Sequence, residues 1–350
     1  MKRESNILIL ALLALTACSD KQNDEPSDLV SLDLLTPVIV AESDSRSKPI
    51  EGDRFPYFST LTYQTIPTVN HVCDYSLSFF VCEKGSFLPH ITSANNQNLR
   101  LRSQYNYNVG TNTFHWLDGT PQARIGHDID IYAYYPRVDK TFDPDAVPFT
   151  VSQTDWMWAD PVTINNVSTE NKTVPLKFHH AMTCIEVRLS TKYTSYIDLS
   201  QITLTDAQQK LVSSGTMDIR NGSLTYTPNQ KTITITSYGG AERLPVYNDV
   251  NSSYRSFCFI MPEKEFSEGD LKLTFIYDRQ YDNGWHQTPG RADFTIPTTF
   301  TNSQGKSDTV TKFETGKRYI LNLMIDNTDL IVPLSFVKDD WVTNDVNLKI

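Results

Sequence analysis

Asp128-Ile129-Asp130-Ile131-Tyr132-Ala133-Tyr134-Tyr135-Pro136 is the stretch whose reading decides the fold. Ile129, Ile131 and Ala133 fall on one face of an extended chain, and Asp128, Asp130 and Tyr132 fall on the other. A period of two is the mark of a strand, and Pro136 ends it because proline has no N–H for a ladder. Working outward, Cys184-Ile185-Glu186-Val187-Arg188-Leu189 sets Ile185, Val187 and Leu189 against Glu186 and Arg188 in the same way. Tyr319-Ile320-Leu321-Asn322-Leu323-Met324-Ile325 repeats the alternation less cleanly. Further strands are expected at 32–40, 75–82, 113–117, 149–151, 174–178, 202–205, 224–226, 232–236, 254–261, 271–277, 292–296 and 347–350. Turn residues separate them, and no window longer than about twelve residues keeps a helical period. The expected fold class is all-β, with strands spaced as in sandwiches.

Composition agrees with this. The chain has 350 residues, 39% hydrophobic and 21% charged, enough for a sizeable core and a length typical of about two domains. Seventeen Tyr and seventeen Phe favour strands over helices. A net charge of −10 makes a poor partner for phosphate backbones or anionic headgroups, which excludes nucleic-acid binding. The polar, turn-rich stretch 163–173 is the expected boundary between the two halves.

The N-terminus reads as an export signal. Met1-Lys2-Arg3 is basic, an uncharged apolar run follows from Ile7 to Leu15, and the run is too short to be a permanent membrane helix. It ends in Leu15-Thr16-Ala17-Cys18, which matches the lipobox of bacterial lipoproteins. Cys18 is therefore the expected lipidation site and new N-terminus, with several acyl chains holding the protein on a membrane. Ser19-Asp20-Lys21-Gln22-Asn23-Asp24-Glu25-Pro26 is polar and acidic, and reads as a tether.

Four cysteines follow: Cys73, Cys82, Cys184 and Cys258. An even number in an exported chain permits two disulfides, with buried free thiols as the alternative. Cys73 and Cys82 flank one expected strand, and nine steps at about 3.3 Å hold its ends too far apart to bridge without a bend. No Cys/His grouping has zinc spacing, and no nucleophile-elbow, P-loop, HExxH or dinucleotide-binding motif is present. His179 and His180 are adjacent, so on a strand they point to opposite faces and cannot share a metal. Asp128/Asp130 and Asp339/Asp340 lack a calcium loop and read as solvated charges. Trp156 and Trp158 lie on one side of an extended segment, a spacing suited to packing or to stacking on a sugar. Nothing singles out a catalytic pair among the carboxylates, and the chain is read as a non-enzyme that needs no cofactor.

The lipobox and tether, then 129–136, Leu176-Lys177-Phe178-His179-His180-Ala181-Met182, Gly316-Lys317-Arg318-Tyr319-Ile320-Leu321-Asn322-Leu323 and Val337-Lys338-Asp339-Asp340-Trp341, resemble in their order the fimbrillin (Mfa-like) family. These are pilus subunits of the type V fimbriae of Gram-negative envelopes. The resemblance implies two transthyretin-like β-sandwich domains in tandem: a signal peptide 1–17, a tether 18–30, an N-terminal domain 31–168 and a C-terminal domain 169–350. It implies removal of a first strand by an arginine-specific protease, and filling of the groove by a strand of a neighbouring subunit. Residues 32–40 fit the removable strand, Arg46 just after it fits the processing site with Arg54 second, and 330–337 or 342–350 fit the donor. The implied partners are other pilus subunits, the outer membrane through the lipid, and a surface receptor. The implied location is the outer membrane surface, within a fimbria serving cell adhesion, in a stalk-like or accessory role. The alternative is a surface glycan-binding lipoprotein of a nutrient-uptake system, with Trp116, Trp156, Trp158 and Trp285 as an aromatic platform. A second alternative, an envelope hydrolase, needs carboxylates or a nucleophile gathered in one pocket.

Overall fold

The computed structural model describes residues 28–35, 38–41, 44–49, 76–91, 99–106, 111–116, 119–138, 143–151, 155–192, 196–236, 242–247, 254–280, 287–301 and 307–341. Among these the regular elements are strands, and no helix is long and apolar enough to cross a membrane. The all-β expectation holds.

The deciding stretch forms the strand Ile129–Tyr135 and ends at a cis Tyr135–Pro136 bond. It lies inside a nine-stranded sheet. The order is Asp44–Pro49, Val38–Ala41, Lys177–His180, Met157–Ala159, Ile129–Tyr135, Ser76–Glu83, Leu99–Asn106 and Thr111–Trp116, with Val162–Ile164 also paired to Ile129–Tyr135. Ile129, Ile131, Ala133 and Tyr135 pack on one face with Leu77, Phe79, Val81 and Phe178. Two short pairs, Leu29–Ser31 with Gln122–Arg124 and Asp33–Leu34 with Thr173–Val174, cover that face and contribute Leu32, Ala123 and Val174. The polar stretch 163–173 loops around this cluster with Val167 buried in it, and the cluster continues through Val174, Leu176 and Phe178.

A second cluster lies between two further sheets. Thr183–Thr191 pairs antiparallel with Arg255–Met261 and parallel with Lys317–Ile325, whose other edge carries Ile331–Asp340. The opposing sheet runs Thr232–Thr236, Tyr196–Asp206, Leu271–Gln280, Gln287–Thr295, with Glu242–Arg243 also on Tyr196–Asp206. Ile185, Val187, Leu189, Leu321 and Leu323 meet Ile202, Leu204, Leu273 and Phe275 between them, which makes this unit a β-sandwich.

The faces turned away from these two cores meet in a third cluster. Cys82, Tyr132 and Tyr134 of the nine-stranded sheet pack with Cys184, Cys258 and Ile260 of the four-stranded sheet. Phe149, Trp156, Met182, Met217 and Trp341 share the cluster. On the face of 128–135 that reads as mixed polar, Tyr132 and Tyr134 are therefore buried, because a second sheet covers them.

This covering buries a charge. Glu186, on the outward face of its strand, has a fully buried side chain. It accepts from Arg188 Nε at 2.7 Å and from Arg318 Nε at 2.6 Å, and Ser256 Oγ donates to it as well. Burial alone would raise this carboxyl, but the Arg318 and Arg188 guanidiniums and the hydrogen bonds outweigh it and hold it below its ordinary value of 4.5. Removing one partner leaves a buried charge uncompensated, so Arg318→Met should lower stability by about 3–5 kcal/mol in denaturant melts near neutral pH. The stabilisation from Glu186 is complete above its unfolded value of 4.5 and is lost as pH falls through the lowered folded value. A Glu186→Gln variant should lack that part of the acid dependence in melts compared with wild type.

Candidate functional site

The expected removable strand is the first described element, and it is built as a chain of short pairings. Leu29–Ser31 runs antiparallel to Gln122–Arg124, Asp33–Leu34 runs parallel to Thr173–Val174, and Val38–Ala41 runs parallel to Lys177–His180. Connecting bonds stitch the breaks: Leu32 N to Pro121 O at 2.9 Å, Asp33 N to Lys172 O at 3.0 Å and Leu35 N to Val174 O at 3.0 Å. Lys172 Nζ also reaches Asp33 Oδ2 at 3.2 Å. Leu32 alone of residues 28–35 is fully buried; Val30 and Leu34 are half-buried against the same cluster, and Leu35 is 52% exposed. Burying one Leu returns about 1.5–3 kcal/mol, no more than the cost of ordering two residues at about 1–2 kcal/mol each. Backbone pairing, more than side-chain anchoring, therefore holds residues 28–35 in place.

Arg46 lies in Asp44–Pro49, the outermost strand of the nine-stranded sheet. Ser47 is opposite Val40 and Asp44 is opposite Ala41, so Ser45 and Arg46 fall in a break of the register. An edge strand with a bulge offers backbone that no neighbour holds on its outer side, the form a protease groove accepts. Cys18, Arg54, Cys73, Trp285 and the donor candidate 342–350 lie outside the described residues. The other donor candidate, 330–337, falls in the edge strand Ile331–Asp340 from Ile331 onward, where Leu334 and Val337 are 37% and 43% exposed.

The described residues proposed for a sugar platform are taken up in packing. Trp156 is buried in the third cluster, its ring 6.1 Å from that of Phe149. Trp158 stacks on His179 at 4.8 Å and packs so closely over Gly222, which has φ of 68°, that a Cβ there would meet its indole at 2.0 Å. Trp116 meets Phe79 edge-on at 5.0 Å on the first cluster. The adjacent histidines part as expected. His179 bonds Asp160 Oδ1 at 2.9 Å, whereas His180 bonds the buried Asp155 at 2.5 Å and stacks on Trp341 at 3.9 Å.

Asp128 is exposed, as a solvated charge should be, whereas Asp130 differs from that expectation. Asp130 is buried and accepts from Gly85 N at 2.7 Å and Thr163 Oγ1 at 2.5 Å. Asp128 accepts from Asn166 N and Lys84 Nζ, and these bonds hold its carboxyl below the usual range. Both brace loops. Asp340 pairs with Lys317, and Asp339 is exposed.

One grouping escapes sequence spacing altogether. Glu83, His90 and His127 bring ligand-type atoms within 4.8 Å of one another. The hydrogen bonds oppose a metal there. Arg124 N donates to His90 Nε2 at 2.9 Å, which puts the lone pair on Nε2 and the proton on Nδ1. Nδ1 then donates to Glu83 Oε1 at 3.0 Å and has no lone pair left for a cation. Burial lowers the His90 pKa, with the nearby Glu83 opposing.

Cys82, Cys184 and Cys258 are buried free thiols. Burial pushes the Cys82 thiol up to about 12 and raises Cys258 as well. Burial keeps the reagent from all three, so they should resist iodoacetamide in the native protein and become alkylated on unfolding, as read by intact mass.

A family model described as fimbrillin-like matches residues 88–341. Solved structures that resemble the chain include a protein of Bacteroides ovatus described as a cell adhesion protein. It is 13% identical, with 90% of this chain and 98% of that chain covered, at a TM-score of 0.50. A fimbrial protein of Bacteroides vulgatus is 14% identical over 89% of this chain and 99% of its own, at 0.44. A protein of Bacteroides uniformis, also described as a cell adhesion protein, is 14% identical over 77% and 93%, at 0.47. At these identities the likeness concerns the fold. No curated protein matches.

Proposed function

The chain belongs to the fimbrillin-like family, and on that premise we propose that it is a structural subunit of a surface pilus, assembled by strand exchange and contributing to cell adhesion. In this reading Cys18 carries the lipid that delivers the chain to the outer membrane, and a protease removes the segment up to Arg46. A strand of a neighbouring subunit then fills the vacated edge. In this reading the chain forms two β domains, and the chain passes from the first sheet to the second around Ala181–Met182. Lys177–His180 there closes the first sheet and Thr183–Thr191 opens the second.

The observation that carries the proposal is the way the first segment is held. Its departure would open a ladder along Lys177–His180, together with the apolar seat of Leu32, without disturbing the strand Ile129–Tyr135. An open edge with an apolar groove is the form that strand addition fills. The role is structural and not catalytic, since the site is a backbone ladder. The glycan-platform alternative loses its support with the packing of Trp116, Trp156 and Trp158.

Limited digestion of the purified chain with an arginine-specific protease tests the reading. The expected result is a new N-terminus after Arg46 by mass, and an SDS-resistant ladder when the product is run unboiled. Resistance at Arg46, or a cut product that stays monomeric, would remove strand exchange and leave only the family assignment. Arg46→Ala should abolish both the cut and the ladder while keeping the folded monomer.

A further inference from the structure

On the outward face of the four-stranded sheet lies a groove of about 350 Å³, with the edge strand Ile331–Asp340 as one wall. Arg188, Ser190, Tyr247, Tyr254, Asn322 and Ser335 line it, so aromatic rings stand beside planar and hydroxyl donors and acceptors. Its volume is at the small end of the range for ligand pockets.

The lining is arranged in advance. Arg188 lies over the Tyr254 ring at 4.7 Å while its Nε donates to Glu186 Oε1 at 2.7 Å, so the guanidinium is fixed at two points. Asn322 Nδ2 donates to Ser335 Oγ at 2.7 Å, which orients the amide and leaves the Ser335 hydroxyl hydrogen to point elsewhere. Ser190, 2% exposed, donates to Leu323 O at 3.4 Å in the floor. The wall is shaped by a bulge. Asn322 is opposite Ser335 and Leu323 is opposite Pro333, so Leu334 is the extra residue and turns the edge strand at the groove. Bulges re-aim side chains in this way beside binding sites.

Charge chooses the ligand class. Arg188 is neutralised by Glu186, and Arg318 is bonded to Glu186 and is the cross-strand neighbour of Asp339. Arg188, the charged residue of the lining, is thus already paired with a carboxylate, with no surplus to select an anion. Apolar lining is limited to Leu323 and Leu334, too little for a greasy ligand. Tyrosine rings suit the C–H faces of a pyranose, and an oriented amide, a hydroxyl and a guanidinium suit its hydroxyls. We propose that this groove is a binding site for a neutral saccharide.

Saturation-transfer NMR on the purified full chain tests it, with lactose, maltotriose and N,N′-diacetylchitobiose as neutral probes and sialyllactose as an acidic one. At least one neutral probe should show transfer, and its Kd should weaken at least tenfold in Asn322→Ala and Tyr254→Ala. Ser335→Trp fills the groove from an exposed position without entering the core, and should abolish the signal while the thermal midpoint stays unchanged. Absence of transfer from every neutral probe overturns the proposal. So does a signal that persists in Ser335→Trp, or transfer from sialyllactose alone.

Discussion

Burial of Ile129–Tyr135 on both faces is the constraint on which the remaining structure depends. Every residue of this strand is buried. One face supplies Ile129, Ile131 and Ala133 to the first cluster, and the other supplies Tyr132 and Tyr134 to the cluster shared with the second unit. A slip of one residue would exchange these sets and drive Asp130 into an aliphatic core, so the register is strongly specified. Asp130 is tolerated because Gly85 N and Thr163 Oγ1 both donate to it. Tyrosine suits the shared face because its length reaches the opposite sheet while its hydroxyl finds a partner. Tyr134 accepts from Val138 N at 3.3 Å.

Alternation exposed the strands that sit centrally and hid what lies against them. Ile129–Tyr135, Thr183–Thr191 and Lys317–Ile325 were legible because their apolar positions repeat every second residue. Leu99–Asn106 went unread although Leu99-Arg100-Leu101-Arg102 carries the same signal. Residues 32–40 read as one strand, yet the chain there breaks into two pairings, Asp33–Leu34 with Thr173–Val174 and Val38–Ala41 with Lys177–His180. Such a change of partner is a property of distant chain and leaves no local period. Glu186 shows the same limit. Its position opposite Ile185 and Val187 was plain, whereas its burial depends on Arg318, 132 residues away.

The candidate site was readable in chemistry and unreadable in place. The polar residues around Arg46 mark an accessible segment, but its position as the outermost strand comes from pairing with Val38–Ala41 and Lys177–His180. Trp156 and Trp158 do share a cluster, as their spacing suggested; that it is an interior one was decided by the second sheet. Glu83, His90 and His127 come together across chain separations that no motif spans, and only the donor at Arg124 N distinguishes a fixed tautomer from a metal ligand.

The two sheets treat their edges differently, and this difference bears on the proposed assembly. Ile331–Asp340 carries Pro333, Lys338, Asp339 and Asp340, the residues that discourage an incoming strand, and Trp341 beyond it stacks on the buried His180. At the N-terminal side, residues 28–35 bury one side chain fully, that of Leu32. In an exchange of one strand for another the ladder hydrogen bonds are lost and regained in equal number, so they do not decide the outcome. Buried apolar side chains do. Each additional Val or Leu seated in the groove contributes about 1.5–3 kcal/mol, and about 1.4 kcal/mol is a tenfold preference. A donor that buries two side chains more than residues 28–35 would thus displace them by at least about a hundredfold, with the rest of the sheet unchanged.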